Sequence, residues 1–487
     1  MEGLRIIVKC IVVGASALIP AHFNHISELG NNNLGGGMPV ATLVHGGLAP
    51  TDISSAFMQH SEAPQQDKQP AIMATSNAAT SWRWQSTIEP DANKFDWKFG
   101  AAVSIYERTI AIGPARDWDL GIDQTGVHMY TLAGQHWNCD CTITHPSSDS
   151  HAQFGACVAL KNKMLLIGSP RDNEGGFETG AAFLYKKVGE RWDHKATLKR
   201  TISNAADQFG AAIACDENTL VIGAPKADEG VIDSGAVEVF ERDQDGWRNV
   251  ATLTSNPPRA GALFGLSVAL DSGRIIVGAP GDKSDGNFSG RAFIFTRGAN
   301  GWALEAELSC PSGTRGWFGS AVAGDQSRVL IGAPRLVRPN QTDLNPRGVV
   351  FEYRRGDGVW QVAAHIMPVN ALDADSFGCS IALHKDRAVF GASIDSLAGR
   401  LAGAAFAGSR NSLGVWVLDR LVAPDAAPGQ LAGQMVGIFG PRIVVGRMGN
   451  PEEDPAPGAV SIFVIAPPRI AQEDGSDTSS TRMFVDP

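Results

Sequence analysis

The sequence predicts an all-β fold, a seven-bladed β-propeller of four-stranded blades closed by an N-terminal strand around Trp84. Three recurring landmarks carry that expectation. Phe-Gly begins at Phe99, Phe154, Phe209, Phe264, Phe318 and Phe377, with steps of 55, 55, 55, 54 and 59 residues. Fourteen residues after each Phe, a glycine closes an aliphatic run: Gly113, Gly168, Gly223, Gly278, Gly332 and Gly391. A Trp follows later in each unit, at Trp137, Trp192, Trp247, Trp302, Trp360 and Trp416. Counting back fourteen from Gly446 in IVVGRM reaches Ala432-Gly433, a degenerate seventh copy.

Each unit resolves into four short strands, and such units repeated radially make a propeller. The first strand follows Phe-Gly. The second is a near-continuous apolar run such as LVIGAP or IIVGAP, which suits a strand covered on both faces. Its terminal Gly allows close backbone approach, and the Pro then stops pairing. The third strand alternates, as in GAVEVFER, and opens at Gly180, Gly235, Gly290, Gly403 or Gly458, with Gly126 and Gly348 displaced. The fourth opens at the Trp. By period two, Trp192, His194, Ala196 and Leu198 are expected to share a face, as are Trp247, Asn249, Ala251 and Leu253.

The seventh unit supplies GAVSIFVI after Gly458 and then Pro467-Pro468, with no Trp strand. Trp84 in WRWQSTI lies 53 residues before Trp137 and is expected to complete that last blade, because an open ring would leave an unpaired edge. The resulting boundaries are 1–20 as a candidate signal sequence, 21–81 as an irregular arm or linker, 82–464 as the propeller and 465–487 as a disordered tail. One closed domain thus replaces the three that 487 residues suggest at roughly 150 residues each.

Composition agrees. Gly 55 and Pro 27 fit a turn-rich chain, and a hydrophobic share of 43% suffices for a core. A net charge of -10 argues against nucleic acid as a partner. No apolar run is long enough for an integral membrane span. The seven Cys form neither a disulfide framework nor a paired zinc motif.

At these landmarks the sequence resembles the FG-GAP repeat family, the propeller of integrin alpha-subunit heads and of many bacterial secreted or surface proteins. The resemblance spans 82–464 and includes full Gly-Ala-Pro tripeptides at Gly223, Gly278 and Gly332. It implies ligand recognition and attachment outside the cell, with calcium held in acidic turns between the first and second strands. Here those turns read IYERT, LKNKM, CDENT, LDSGR, GDQSR and LHKDR, which lack the six to eight oxygens that a hard cation takes. Calcium sites of the integrin kind are therefore not evident, and the expectation is no cofactor, with calcium held in some other way as the alternative.

The long segments between second and third strands gather on one face of a propeller, where loops on a rigid scaffold commonly carry function. Charged residues recur there just after the Pro. Arg116, Asp117, Arg171, Asp172, Lys226, Asp228, Asp282 and Arg335 are the candidate ligand-binding residues, and Asp282 with Asp285 is a weak candidate for a cation. Solvated turn residues are the bland alternative.

Other motifs have simpler readings. His136, Cys139, Cys141 and His145 look zinc-like, but Cys139 and Cys141 fall at Trp+2 and Trp+4 of a fourth strand, where packed thiols are expected. Cys157 and Cys379 follow Phe-Gly and are expected in the core. Arg355-Gly356-Asp357 falls at a hairpin turn. Asn287 and Asn340 begin glycosylation sequons. No nucleophile elbow, phosphate loop or zinc-protease motif occurs, so catalysis is unsupported. The expected protein is a secreted, cell-surface or periplasmic monomer, a noncatalytic module that recognises a protein or glycan through its loop face. The alternatives are a propeller enzyme with an axial active site, a hydrolase or lyase, and a structural domain of a larger assembly.

Overall fold

The computed structural model describes residues 82–465 apart from 91–98, 115–125, 148–151, 272, 285–287, 312–314, 337–346, 369–374 and 450–456. Its strands form seven four-stranded antiparallel sheets. Blades 1 to 6 occupy residues 99–143, 157–198, 212–253, 267–309, 321–366 and 377–421. Blade 7 takes three strands from 436–465 and its fourth from Trp82–Ile88. That strand runs antiparallel to Ala459–Ile465, with Trp84 opposite Phe463 and Ile88 opposite Val460. The predicted closure holds. Among the described residues, no helix is long and apolar enough to cross a membrane.

First strands of neighbouring blades touch all round the ring, so they line the axis. Second strands such as Met164–Ser169 are buried along their whole length, as their unbroken apolar character requires. Phe99, Phe209, Phe264, Phe318 and Phe377 are buried, and their rings meet third-strand aromatics edge-on or tilted, as Phe264 meets Phe293 at 5.1 Å. Each such burial stabilises the ring by about 1.5–3 kcal/mol.

The recurrent glycines have a common cause. In all seven units the glycine after the Phe position takes a φ between 83° and 92°, Gly433 of the degenerate copy included. Its carbonyl lies against the glycine that ends the preceding blade's second strand. A Cβ on Gly446 would sit 2.1 Å from the Gly100 oxygen, across the seam that closes the ring. Gly126 differs from its counterparts, packing against the Ile143 carbonyl of its own blade.

The fourth strands correct the period-two reading. In blades 1 to 5 and in blade 7 a bulge interrupts the pairing of third and fourth strands. In blade 2, Leu184 pairs Ala196 whereas Tyr185 pairs His194, leaving Lys195 as the extra residue. Trp192 and His194 consequently share the face of Tyr185, while Ala196 and Leu198 share that of Leu184, and the two sets pack into different seams. Trp247 and Asn249 are separated from Ala251 and Leu253 in the same way. Cys139 and Cys141 also flank the bulge and lie on opposite faces. Cys139 is exposed, not packed, while Cys141 is half-buried. Cys157 and Cys379 are half-buried, and their thiols approach the carbonyls of Gly210 and Gly433 in the next blades at 3.0 and 3.5 Å.

The tryptophans join blades. Trp302, Trp360 and Trp416 donate their indole N–H to Glu241, Glu305 and Glu352 of the preceding blades at 3.0, 3.0 and 2.8 Å. Arg355-Gly356-Asp357 lies at a hairpin turn, with Asp357 and Gly358 at φ of 50° and 82°.

Candidate functional site

The loops between second and third strands share one end of the ring with the connectors between blades; the tight hairpins occupy the other. Arg116, Asp117, Asp285, Asn287 and Asn340 lie outside the described residues. Of the remaining candidates, Asp172 and Asp282 are buried and already paired. His145, from the connector leaving blade 1, meets Asp172 of blade 2 at 2.8 Å. Because its Nδ1 accepts the Ser147 N–H at 3.2 Å, its Nε2 carries the proton donated to Asp172. Burial acts to raise the Asp172 carboxyl, but the His145 bond and the Glu174 N–H hold it below its ordinary range. At the next seam but one, Arg259 donates to Asp282 at 2.9 Å and to Glu307 at 3.0 Å.

Comparable latches fill other seams. Between blades 2 and 3, Arg200 binds Asp207 at 2.6 Å, Glu238 at 3.1 Å and also Glu229. Glu238 is further held by Asn249 and Thr252 at 2.6 and 2.9 Å. Between blades 5 and 6, Asp375 accepts the Phe377 and Gly348 N–H groups at 3.0 and 3.3 Å. In the closing blade Arg447 is buried and reaches Asp425 of the connector from blade 6 at 2.9 Å and Thr87 of the N-terminal strand at 3.5 Å. Sequence reading took the post-Pro charges as one ring; the structure separates them into buried latches and surface groups.

The surface groups are Arg171, Lys226, Asp228 and Arg335. Arg171 pairs with Glu178 at 2.6 Å. Lys226 acts electrostatically on Asp233, whose carboxyl is raised by burial and lowered by that lysine. Asp228 is exposed and caps the Asp233 N–H at 2.8 Å. Arg335 lies 4.7 Å over the Trp317 ring, and burial lowers its proton affinity.

Around Arg171 and Lys226 a platform forms that the sequence reading missed. The blade 2 loop, the connector after it and the blade 3 loop are joined by Lys199–Glu174 at 2.8 Å, Ala206 N–H to Phe177 O at 2.9 Å, and Lys226 N–H to Asp207 O at 3.3 Å. Phe177 and Ile202 stand on it, 69% and 77% exposed; Ile232, 68% exposed, holds the position matching Phe177 one blade on, where its carbonyl accepts the Gly261 N–H of the next connector at 2.9 Å, with Val231 before it. Large apolar side chains exposed on polar loops are a recognition feature. The available signal was the apolar residue three before Gly180 and Gly235, where a solvated loop needs none.

Among the described residues no group of three or more His, Cys, Asp or Glu side chains is placed to hold a metal ion, and no disulfide forms. The hairpin carboxylates serve their own turns, as where Asp325 accepts the Ser327 N–H at 2.8 Å.

A ring of four-stranded blades, closed by a strand from the opposite chain end and joined at glycine seams, defines a repeat β-propeller. The FG-GAP repeat family model matches residues 137–185, 192–240, 247–295 and 360–407, so this seven-bladed propeller carries FG-GAP repeats in four places. Each match begins at the Trp of one blade and ends in the third strand of the next, so the sequence repeat is offset from the blade by one strand. No curated protein matches the chain.

Proposed function

We propose that this propeller is a noncatalytic binding module, acting outside the cell or at its surface, that recognises a protein or glycan through the loop face of blades 2 and 3. The observation that carries the reading is the exposed set Phe177, Ile202 and Ile232 on loops tied together by hydrogen bonds and ion pairs. Arg171, Lys226 and Asp228 lie on the same two loops and supply polar contacts. Exposed apolar side chains interspersed with charged ones are what protein interfaces use. The FG-GAP repeats, typical of extracellular proteins, support the location.

The test compares the native chain with the triple variant Phe177→Ser, Ile202→Ser and Ile232→Ser on arrayed glycans and immobilised extracellular proteins. The native chain is expected to give defined binders, and the variant to lose at least about tenfold in affinity at unchanged thermal stability. Equal binding by the variant, or no binder for the native chain, refutes the proposal.

A further inference from the structure

The opposite, hairpin end of the axis carries an arrangement that the loop face does not explain. Seven units place one residue each at the end of the first strand, and in blades 6, 7, 1 and 2 these are His384, Phe439, Tyr106 and Lys161. They touch in that order: His384 to Phe439 at 4.6 Å, Phe439 to Tyr106 at 4.6 Å, and Lys161 Nζ to the Tyr106 ring at 5.7 Å. The result is an arc of half-exposed aromatic faces at the mouth of the axis.

Cations surround the arc. The four turns at 384–387, 439–442, 106–109 and 161–164 hold six Lys and Arg against two carboxylates, in a chain whose net charge is -10. Among the described residues, none of Lys161, Lys385, Arg387 and Arg442 forms a salt bridge. The Arg442 Nε is buried without a hydrogen-bond partner. Like charges crowd one another there: burial, then Lys385, Lys161 and Arg387, lower His384, and burial, then Arg108, lower Arg442. The arc ends at blade 3, where Asn162 donates to Glu217 at 2.9 Å.

We infer that this mouth is a second binding site, for a short acidic saccharide bearing sulfate or carboxylate groups. Its acid groups meet Lys161, Lys385 and the guanidinium of Arg442, and its sugar rings lie on Tyr106 and Phe439. An anion there relieves the crowding of cations that the folded chain otherwise bears, and Arg is suited to bind oxyanions. The matching turns of blades 4 and 5 carry Arg274 and Arg328 already paired with Glu305 and Asp325, so the cations without such partners span four adjacent turns, which favours a short ligand over a long polyanion in a chain of net charge -10. The turns that lack calcium oxygens thus carry the opposite specificity.

The experiment is calorimetric titration of the full chain with a sulfated heparin-type tetrasaccharide, its desulfated counterpart, inorganic sulfate and a single-stranded oligonucleotide. The tetrasaccharide is expected to bind at about 50 mM salt and to weaken as salt rises. The double variant Lys161→Glu, Lys385→Glu, which changes two exposed side chains, is expected to weaken it by about tenfold or more. Phe439→Leu should weaken the tetrasaccharide but not inorganic sulfate. Lys226→Glu on the loop face should leave binding unchanged, which separates this site from the platform of blades 2 and 3. Absence of binding, undiminished binding by the double variant, equal affinity for inorganic sulfate, or preference for the oligonucleotide would each overturn the assignment.

Discussion

At Asp375, burial and hydrogen bonding act in opposite directions. Burial raises its carboxyl from 3.8 to about 6 against the lowering effect of the Phe377 and Gly348 N–H groups, and the nearby charge of Asp395 adds to the rise. Its Oδ2 is buried without a partner. Because the native state holds this proton more tightly than the unfolded chain, the stabilisation is fully present below the unfolded value and is lost as pH rises through about 6. Asp375→Asn, which keeps an acceptor for the two N–H groups, is expected to raise stability above pH 7 by about 2–3 kcal/mol and to flatten the dependence between pH 4 and 6. Urea unfolding across that range checks it; an unchanged slope would sink the assignment. Asp375 lies two residues before a Phe-Gly, where Asp207 also stands, but its missing partner could not be read from that spacing. Likewise Arg171 and Asp172 are neighbours in sequence, yet one reaches the surface and the other is buried under His145.

At the scale of elements, stability resides in the seams. Arg200 donates to Asp207, Glu229 and Glu238 together, two of them buried. Its removal leaves these carboxylates in a low-dielectric seam without the guanidinium that binds all three. Arg200→Ala is therefore expected to cost about 3–5 kcal/mol, measured by denaturant unfolding. A loss below 1 kcal/mol would show that water or another group takes over. Strand identity was legible because apolar runs and alternation are local properties. Side-chain direction in the fourth strands was not, since one extra residue per strand reverses the face and leaves no mark in composition.

At the scale of the whole molecule, Trp82–Ile88 decides whether a ring exists. A chain beginning after Glu89 would leave the strand Ala459–Ile465 with one unpaired edge and Arg447 without Thr87. Such a chain is expected to self-associate and to lose slow hydrogen exchange at Val460 and Ile462, read by light scattering and exchange mass spectrometry. A monomer with native protection would contradict the closing role of that strand.

By itself the sequence determined the number of blades, their strand order and the donor of the closing strand. Those properties follow from short-range requirements, a positive φ after each Phe and a hydrogen in place of Cβ where blades meet, which restrict the residue to glycine at fixed spacing. Only the tertiary structure decided which charges are latches and which face water, and that Lys161, Lys385 and Arg442 share one mouth. They stand 55 or more residues apart, and the circular closure of the blades, not any local pattern, brings them together.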